Sequence, residues 1–201
     1  MATIPSKLSG YSVDRRHVYT VGEPLPLTVA DPYAAQRPLV FRTDGWLEMD
    51  DISAFILETF PNGMSRHGWE WMVAIQDYVI HQPNQQHYVR NVPLIELVCE
   101  LVRRSHFPKL PSRLQSYFAF ESLTGAEVFR QAQPAGDAAA MQIYEVESEN
   151  ALRLDQEWLK LGYSPGMSWV MAFRYWSGAA SKAPKWELLL GPPARVLRLV
   201  S

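Results

Sequence analysis

The chain has 201 residues, 47% of them hydrophobic and 12% aromatic, with one cysteine and a formal net charge of −2. That length and composition suit one domain with a real core and exclude a disordered chain. Cys99 alone excludes an internal disulfide and any cysteine-built metal site, scattered basic residues exclude the basic stripe of a general nucleic-acid binder, and charges interrupt every apolar run well before 18 residues, so no membrane span is expected. The first residues carry no apolar signal core, so a cytoplasmic setting is expected, or delivery by a route that reads no classical signal peptide.

In chain order, residues 1–14 read as a loose arm. RHVYTVG (16–22) alternates as a strand and is stopped by Gly22 and the Pro24/Pro26 pair. Residues 31–38 read as loop and 39–42 as a short strand. Asp50 or Asp51 then caps a helix that runs through Phe60, with Ile52, Phe55, Ile56 and Phe60 on one face. A second helix is expected from about Ser65 to His81, with Trp69, Met72, Val73, Gln76 and Ile80 in register. A third spans 93–104, with Pro93 in its first turn and Leu94, Leu97, Val98 and Leu101 as its buried stripe.

SHFPKLPSR (105–113) reads as a connector kept extended by Pro108 and Pro111, and SYFAF (116–120) as a strand. Thr124 and Glu127 form a capping box for a short helix, and MQIYEVE (141–147) is a strand. Residues 149–161 and 164–178 read as amphipathic helices. A polar loop, 178–185, leads to a closing hairpin over 186–200, with Gly191-Pro192-Pro193 as its turn. No linker divides the chain. The expected class is α+β with a mainly antiparallel sheet, in one domain over 1–201, and 40–92 is a helical insertion or docking region.

No phosphate-binding glycine loop, zinc-protease motif or serine-hydrolase elbow is present, and the five histidines lack zinc-ligand spacing, so no metal is expected. Three pieces carry polar side chains at the edge of apolar strands: RHVYTVG, FPKLPSRLQSYFAFESLTGAEVF (107–129) and KWELLLGPPARVLRL (185–199). Together with QIYEVE (142–147) they resemble the ADP-ribosyltransferase fold, and more narrowly a bacterial family with that fold.

The resemblance implies a split sheet that holds NAD as substrate. Glu187, at the start of a late strand, matches the catalytic glutamate, and Ser116 matches the second-strand hydroxyl that shapes the nicotinamide pocket. His17, with Arg16 as the alternate, matches the first-strand residue that holds the ribose and phosphate, although Tyr19 is followed here by Thr20 rather than by His or Arg. Tyr117, Phe118 or Tyr19 would stack the nicotinamide, and Arg113 would pair with the pyrophosphate. Lys185 stands where arginine-modifying members carry a second acid, which argues against arginine as acceptor. The implied function is transfer of ADP-ribose to a macromolecule, a protein rather than a nucleic acid, by a toxin, effector or phage-conflict protein.

The same residues also have plainer readings. Glu187 can be a charge on an edge strand, Ser116 a strand start, His17 a strand histidine, and Arg113 the partner of a carboxylate. Glu145 and Glu147 alternate towards solvent, with either as the substitute carboxylate. The tryptophans are core, or Trp46, Trp69 and Trp71 form a partner surface. A non-catalytic interaction module on the same fold and an NAD glycohydrolase, with water as acceptor, are the alternative functions.

Overall fold

The computed structural model describes residues 4–15, 17–32, 49–74, 86–134 and 140–201. Arg16, the expected strand 39–42, Trp46 and the expected helix beyond residue 74 lie outside them. Among the described residues four strands form one antiparallel sheet: β1 (Ser6–Asp14), β2 (Tyr117–Ala119), β3 (Gln142–Asp155) and β4 (Trp186–Leu199), in the spatial order β1-β3-β4-β2. The sheet curls until its two edges meet, where Tyr11 and Phe120 exchange backbone hydrogen bonds of 2.9 and 2.8 Å. Gly10 permits that closure, because a Cβ there would lie 2.6 Å from the Phe120 carbonyl oxygen.

The helices are α1 (Met49–Thr59), the short α2 (Arg66–Trp69) continuing into a π-helical turn (Glu70–Ala74), α3 (Gln86–His106), α4 (Leu123–Gln131) and α5 (Pro165–Trp176). α5 has the local chemistry of a helix start: the Ser164 hydroxyl accepts from the Met167 amide, and Pro165 occupies the first turn. α4 is capped by Ser122, which accepts from Gly125, and not by the expected Thr124. The structure is thus α+β, as the composition and patterning suggested.

Four expectations give way to long-range pairing. The loose arm is β1, paired along its length with β3. Of the expected strand 16–22, the described residues 17–22 are instead a loop, because His17 sits at a φ of +52° and the Asp14 carboxylate accepts from the Tyr19 amide, turning the chain back on itself. Residues 149–155 are strand rather than helix, since β3 runs on beside β4 as far as Asp155 opposite Trp186. Nor is 186–200 a hairpin. Gly191-Pro192-Pro193 passes through one continuous strand at a bulge between Ser148 and Asn150, where the missing proline amides have no ladder bond to lose.

Period-2 alternation gives β4 two faces. Leu188 and Leu190 face the inside of the curl, with Tyr117, Tyr144 and Val146. Leu189 faces outward, onto Cys99 and Val102 of α3 and Tyr175 and Trp176 of α5. Glu187 shares the face of Leu189, so its carboxylate is delivered to the helical side of the sheet. Glu187 pairs with Leu154 of β3, and β2 pairs with the next three residues on the other side of β4, so Glu187 is not on an edge strand, and it is 9% exposed.

α3 carries the largest departure in packing. Leu94, Leu97 and Leu101, expected inside, are about half exposed, and Phe55 of α1 is also exposed. Glu96, Cys99, Glu100 and Val102 of α3 are buried instead. The helix turns its acidic stripe inward because that stripe has partners there.

Candidate functional site: a buried carboxylate and guanidinium cluster

A cavity of 440 Å³ opens where the end of β1, β2, the start of β4, α2 and α3 converge, a size within the range of small-molecule sites. Arg113 lies in its wall, in a 3-10 turn (Arg113–Gln115) capped by Ser112, whose hydroxyl accepts from the Leu114 amide. The Arg113 guanidinium is buried. Its Nε and Nη2 each donate over 2.9 Å to the two oxygens of Glu96, the parallel fork that a planar guanidinium makes best. Its Nη1 donates over 2.7 Å to Oε1 of Glu187 and also to the Tyr175 hydroxyl, which in turn donates over 2.7 Å to the same Oε1. The rings of Phe118 and Tyr175 lie 4.7 and 5.1 Å from the guanidinium carbon.

One turn along α3, Glu100 accepts from Arg103, Arg104 and the Ser112 hydroxyl. Glu96 and Glu100, four residues apart on one face, thereby grip two consecutive residues of the connector, Arg113 and Ser112. Each is a charge taken out of water, which is tolerable where every oxygen meets a cation or a donor.

The electrostatics follow. Burial opposes ionisation of Glu96, but the Arg113 guanidinium, and then His67, outweigh it and hold the carboxyl well below the usual carboxylate range. Burial likewise pushes His67 down, towards the neutral imidazole. Glu96, with its oxygen 3.2 Å from Nε2, opposes that shift, while Arg113 and Arg15 reinforce it. Burial pushes the Tyr175 phenol up, so it stays a donor. With His67 neutral, two carboxylates face one guanidinium. Asp14, Arg15 and Arg66 complete the charged side chains of the cavity wall.

The other expected site residues divide. Ser116 is fully buried in the cavity wall, its hydroxyl donating to the Ser112 carbonyl. Tyr117 donates to the Pro26 carbonyl. Phe118 stacks edge-on against His67 at 4.7 Å. Tyr19 lines the cavity, with its hydroxyl 2.9 Å from that of Ser12. Arg113 is the partner of carboxylates, and the guanidinium donors expected to meet a pyrophosphate are engaged by Glu96, Glu187 and Tyr175. His17 is exposed on the loop after β1 and does not line the cavity, whereas Arg15 does. Glu145 and Glu147 pair across strands with Arg198 and Arg195, away from the cavity. Trp69 is core and Trp71 lines the cavity.

Glu96, His67, Tyr175 and Arg15 were not singled out by sequence. The available signal was the Glu96/Glu100 spacing inside an apolar helix, followed by a connector with an arginine. Glu187 is also held from behind. Buried Asp155 accepts from the amides of Glu157, Ser181 and Lys185, which ties down the loop that leads into β4. Lys185 itself pairs with Glu157 at 2.6 Å.

The model of the family described as protein of unknown function (DUF2441) matches residues 47–201, and the chain belongs to that family. The match includes α3, the connector, β2 and β4, hence Glu96, Arg113, Tyr175 and Glu187, but not β1. No curated protein matches the chain. No helix among the described residues is long and apolar enough to cross a membrane.

Proposed function

We propose that this protein is an NAD-dependent ADP-ribosyltransferase of the general type that its sequence resembles, with Glu187 as the catalytic residue and a macromolecular acceptor, a protein rather than a nucleic acid. The observation that carries the reading is the buried Glu187 at the start of a central strand, held by Arg113 and Tyr175 in the wall of a ligand-sized cavity. The nicotinamide of NAD is cationic, and cleavage of its bond to ribose moves positive charge onto the sugar. A fixed carboxylate in the wall of the cavity stabilises that charge without having to reorganise. Tyr19 and Trp71 offer aromatic faces to the nicotinamide, and Arg15, directly after β1, offers the cation for a phosphate in place of His17. The coarse α+β class and the position of Glu187 at the start of a central strand are consistent with this reading.

One observation favours a second reading, a non-catalytic interaction module on the same fold. Oε1 of Glu187 is already engaged by Arg113 and Tyr175, as a purely structural carboxylate would be.

The deciding experiment incubates pure protein with labelled NAD and a bacterial lysate, wild type beside Glu187→Gln. Label transferred to a protein by wild type and lost in the variant supports the transferase. Nicotinamide release without a labelled product makes the protein an NAD glycohydrolase. No consumption of NAD under any condition, with a cell protein bound equally by both forms, replaces the transferase with the interaction module.

A further inference from the structure

The two oxygens of Glu187 are not equivalent. Among the described residues, its hydrogen bonds go to Oε1 alone, from Arg113 Nη1 and the Tyr175 hydroxyl. These donors come from separate elements, the 3-10 turn before β2 and α5. The donor side is itself held by further contacts. Arg113 is clamped by Glu96 through two bonds and lies against the rings of Phe118 and Tyr175, and Ser112, its neighbour, is tied to Glu100. Glu187 nevertheless remains part of the cavity lining.

We propose that Glu187 acts on its substrate through Oε2, and that Arg113, Glu96 and Tyr175 are positioning residues that fix the carboxylate through Oε1. This deepens the NAD reading and rests on it. In the step concerned, the bond between the ribose C1′ and the nicotinamide nitrogen breaks, and its electron pair neutralises the ring nitrogen. A lone pair of the acceptor forms the new bond to C1′, and the acceptor's proton leaves to solvent. Glu187 forms no covalent bond. Oε2 accepts a hydrogen bond from a ribose hydroxyl and stands against the charge that develops at C1′. Held at one oxygen from two directions, the carboxylate cannot rotate away as that charge forms, which is where preorganisation has its effect.

Positioning and plain structural support separate in steady-state kinetics. Nicotinamide release from NAD, with a bacterial lysate present as the source of acceptor and the release by lysate alone subtracted, is measured for the full chain as wild type, Tyr175→Phe, Arg113→Lys and Glu96→Gln, with a melting curve for each. Tyr175→Phe keeps the ring in the core and removes one bond to Oε1. It is expected to lower kcat about tenfold, with KM for NAD within about twofold and a nearly unchanged melting temperature. Arg113→Lys, which keeps the charge and loses the fork, is expected to lower kcat about a hundredfold. If Arg113→Lys or Glu96→Gln does not fold, Tyr175→Phe carries the test alone. Wild-type turnover with an unchanged kcat in Tyr175→Phe, or a change confined to KM, overturns the positioning role and leaves the NAD reading standing. No nicotinamide release by wild type overturns both.

Discussion

Arg113 and Glu187 are 74 positions apart in the chain, yet Nη1 of one donates over 2.7 Å to Oε1 of the other in the interior of the protein. Glu96 completes the arrangement from a third element. The three side chains are unequal in what they support. Glu96 makes the bidentate pair with Arg113, whereas Glu187 accepts a single bond from it.

Their removal should therefore differ in cost. Glu96→Gln leaves a buried guanidinium with one carboxylate and an imperfect amide partner, and is expected to destabilise the protein by about 3–5 kcal/mol. Glu187→Gln leaves the Glu96 fork intact and is expected to cost about 1–2 kcal/mol. Urea denaturation of both variants checks the order, and equal costs would contradict it.

Stability should fall with acid in two stages. His67 is held below its ordinary value of 6.5 by burial, so as the pH drops from about 6.5 the unfolded chain binds that proton first and folding weakens. Glu96, Glu100 and Asp155 are held below their ordinary values, so their contribution is fully present above about pH 4.5 and is lost as the pH falls beneath it. Unfolding free energy measured from pH 8 to 3 should show both stages. His67→Asn should remove the upper one and leave the lower.

Asp155→Asn tests the staple behind Glu187. The neutral amide has one acceptor oxygen for three backbone amides that now share a carboxylate. A loss of about 1–3 kcal/mol is expected. Hydrogen exchange should quicken at the Ser181 and Lys185 amides before it quickens within β3, and protection unchanged at those two amides would refute the staple.

Gly68→Ala tests the seam between α2 and the turn that carries Arg113. A Cβ at Gly68 would lie 2.1 Å from the Leu114 carbonyl oxygen, and backbone cannot yield as a side-chain tip does. Separation of the two elements is expected to cost about 1–3 kcal/mol. Thermal unfolding of the variant checks this.

Leu97→Gln separates the observed packing of α3 from its hydrophobic pattern. Leu97 is 45% exposed and its replacement should change stability by less than about 0.5 kcal/mol, whereas Leu154→Ala, at a fully buried position, should cost about 2–5 kcal/mol. A large loss at Leu97 would restore the reading in which that stripe is core.

The parts legible in the sequence were those decided within a few residues. α1 and α5 follow from their helical periodicity, although Asp50 and Asp51, expected to cap α1, fall inside it; β2 follows from its β-forming run, and the connector from its prolines. The α+β class follows from their mixture, and Glu187 stands out as an acid opening an apolar strand. Local chemistry failed where a distant partner decided the outcome. β1 looked like an arm because the strand that pairs with it lies more than a hundred residues away. Gly191-Pro192-Pro193 looked like a turn because the single sequence does not display the fourteen-residue β3 that runs past both of its sides. In α3 the apolar stripe pointed to the wrong face. Burial of Glu96 and Glu100 is favourable only once Arg113 and Ser112 arrive to receive their charge, and that meeting exists only in the folded chain.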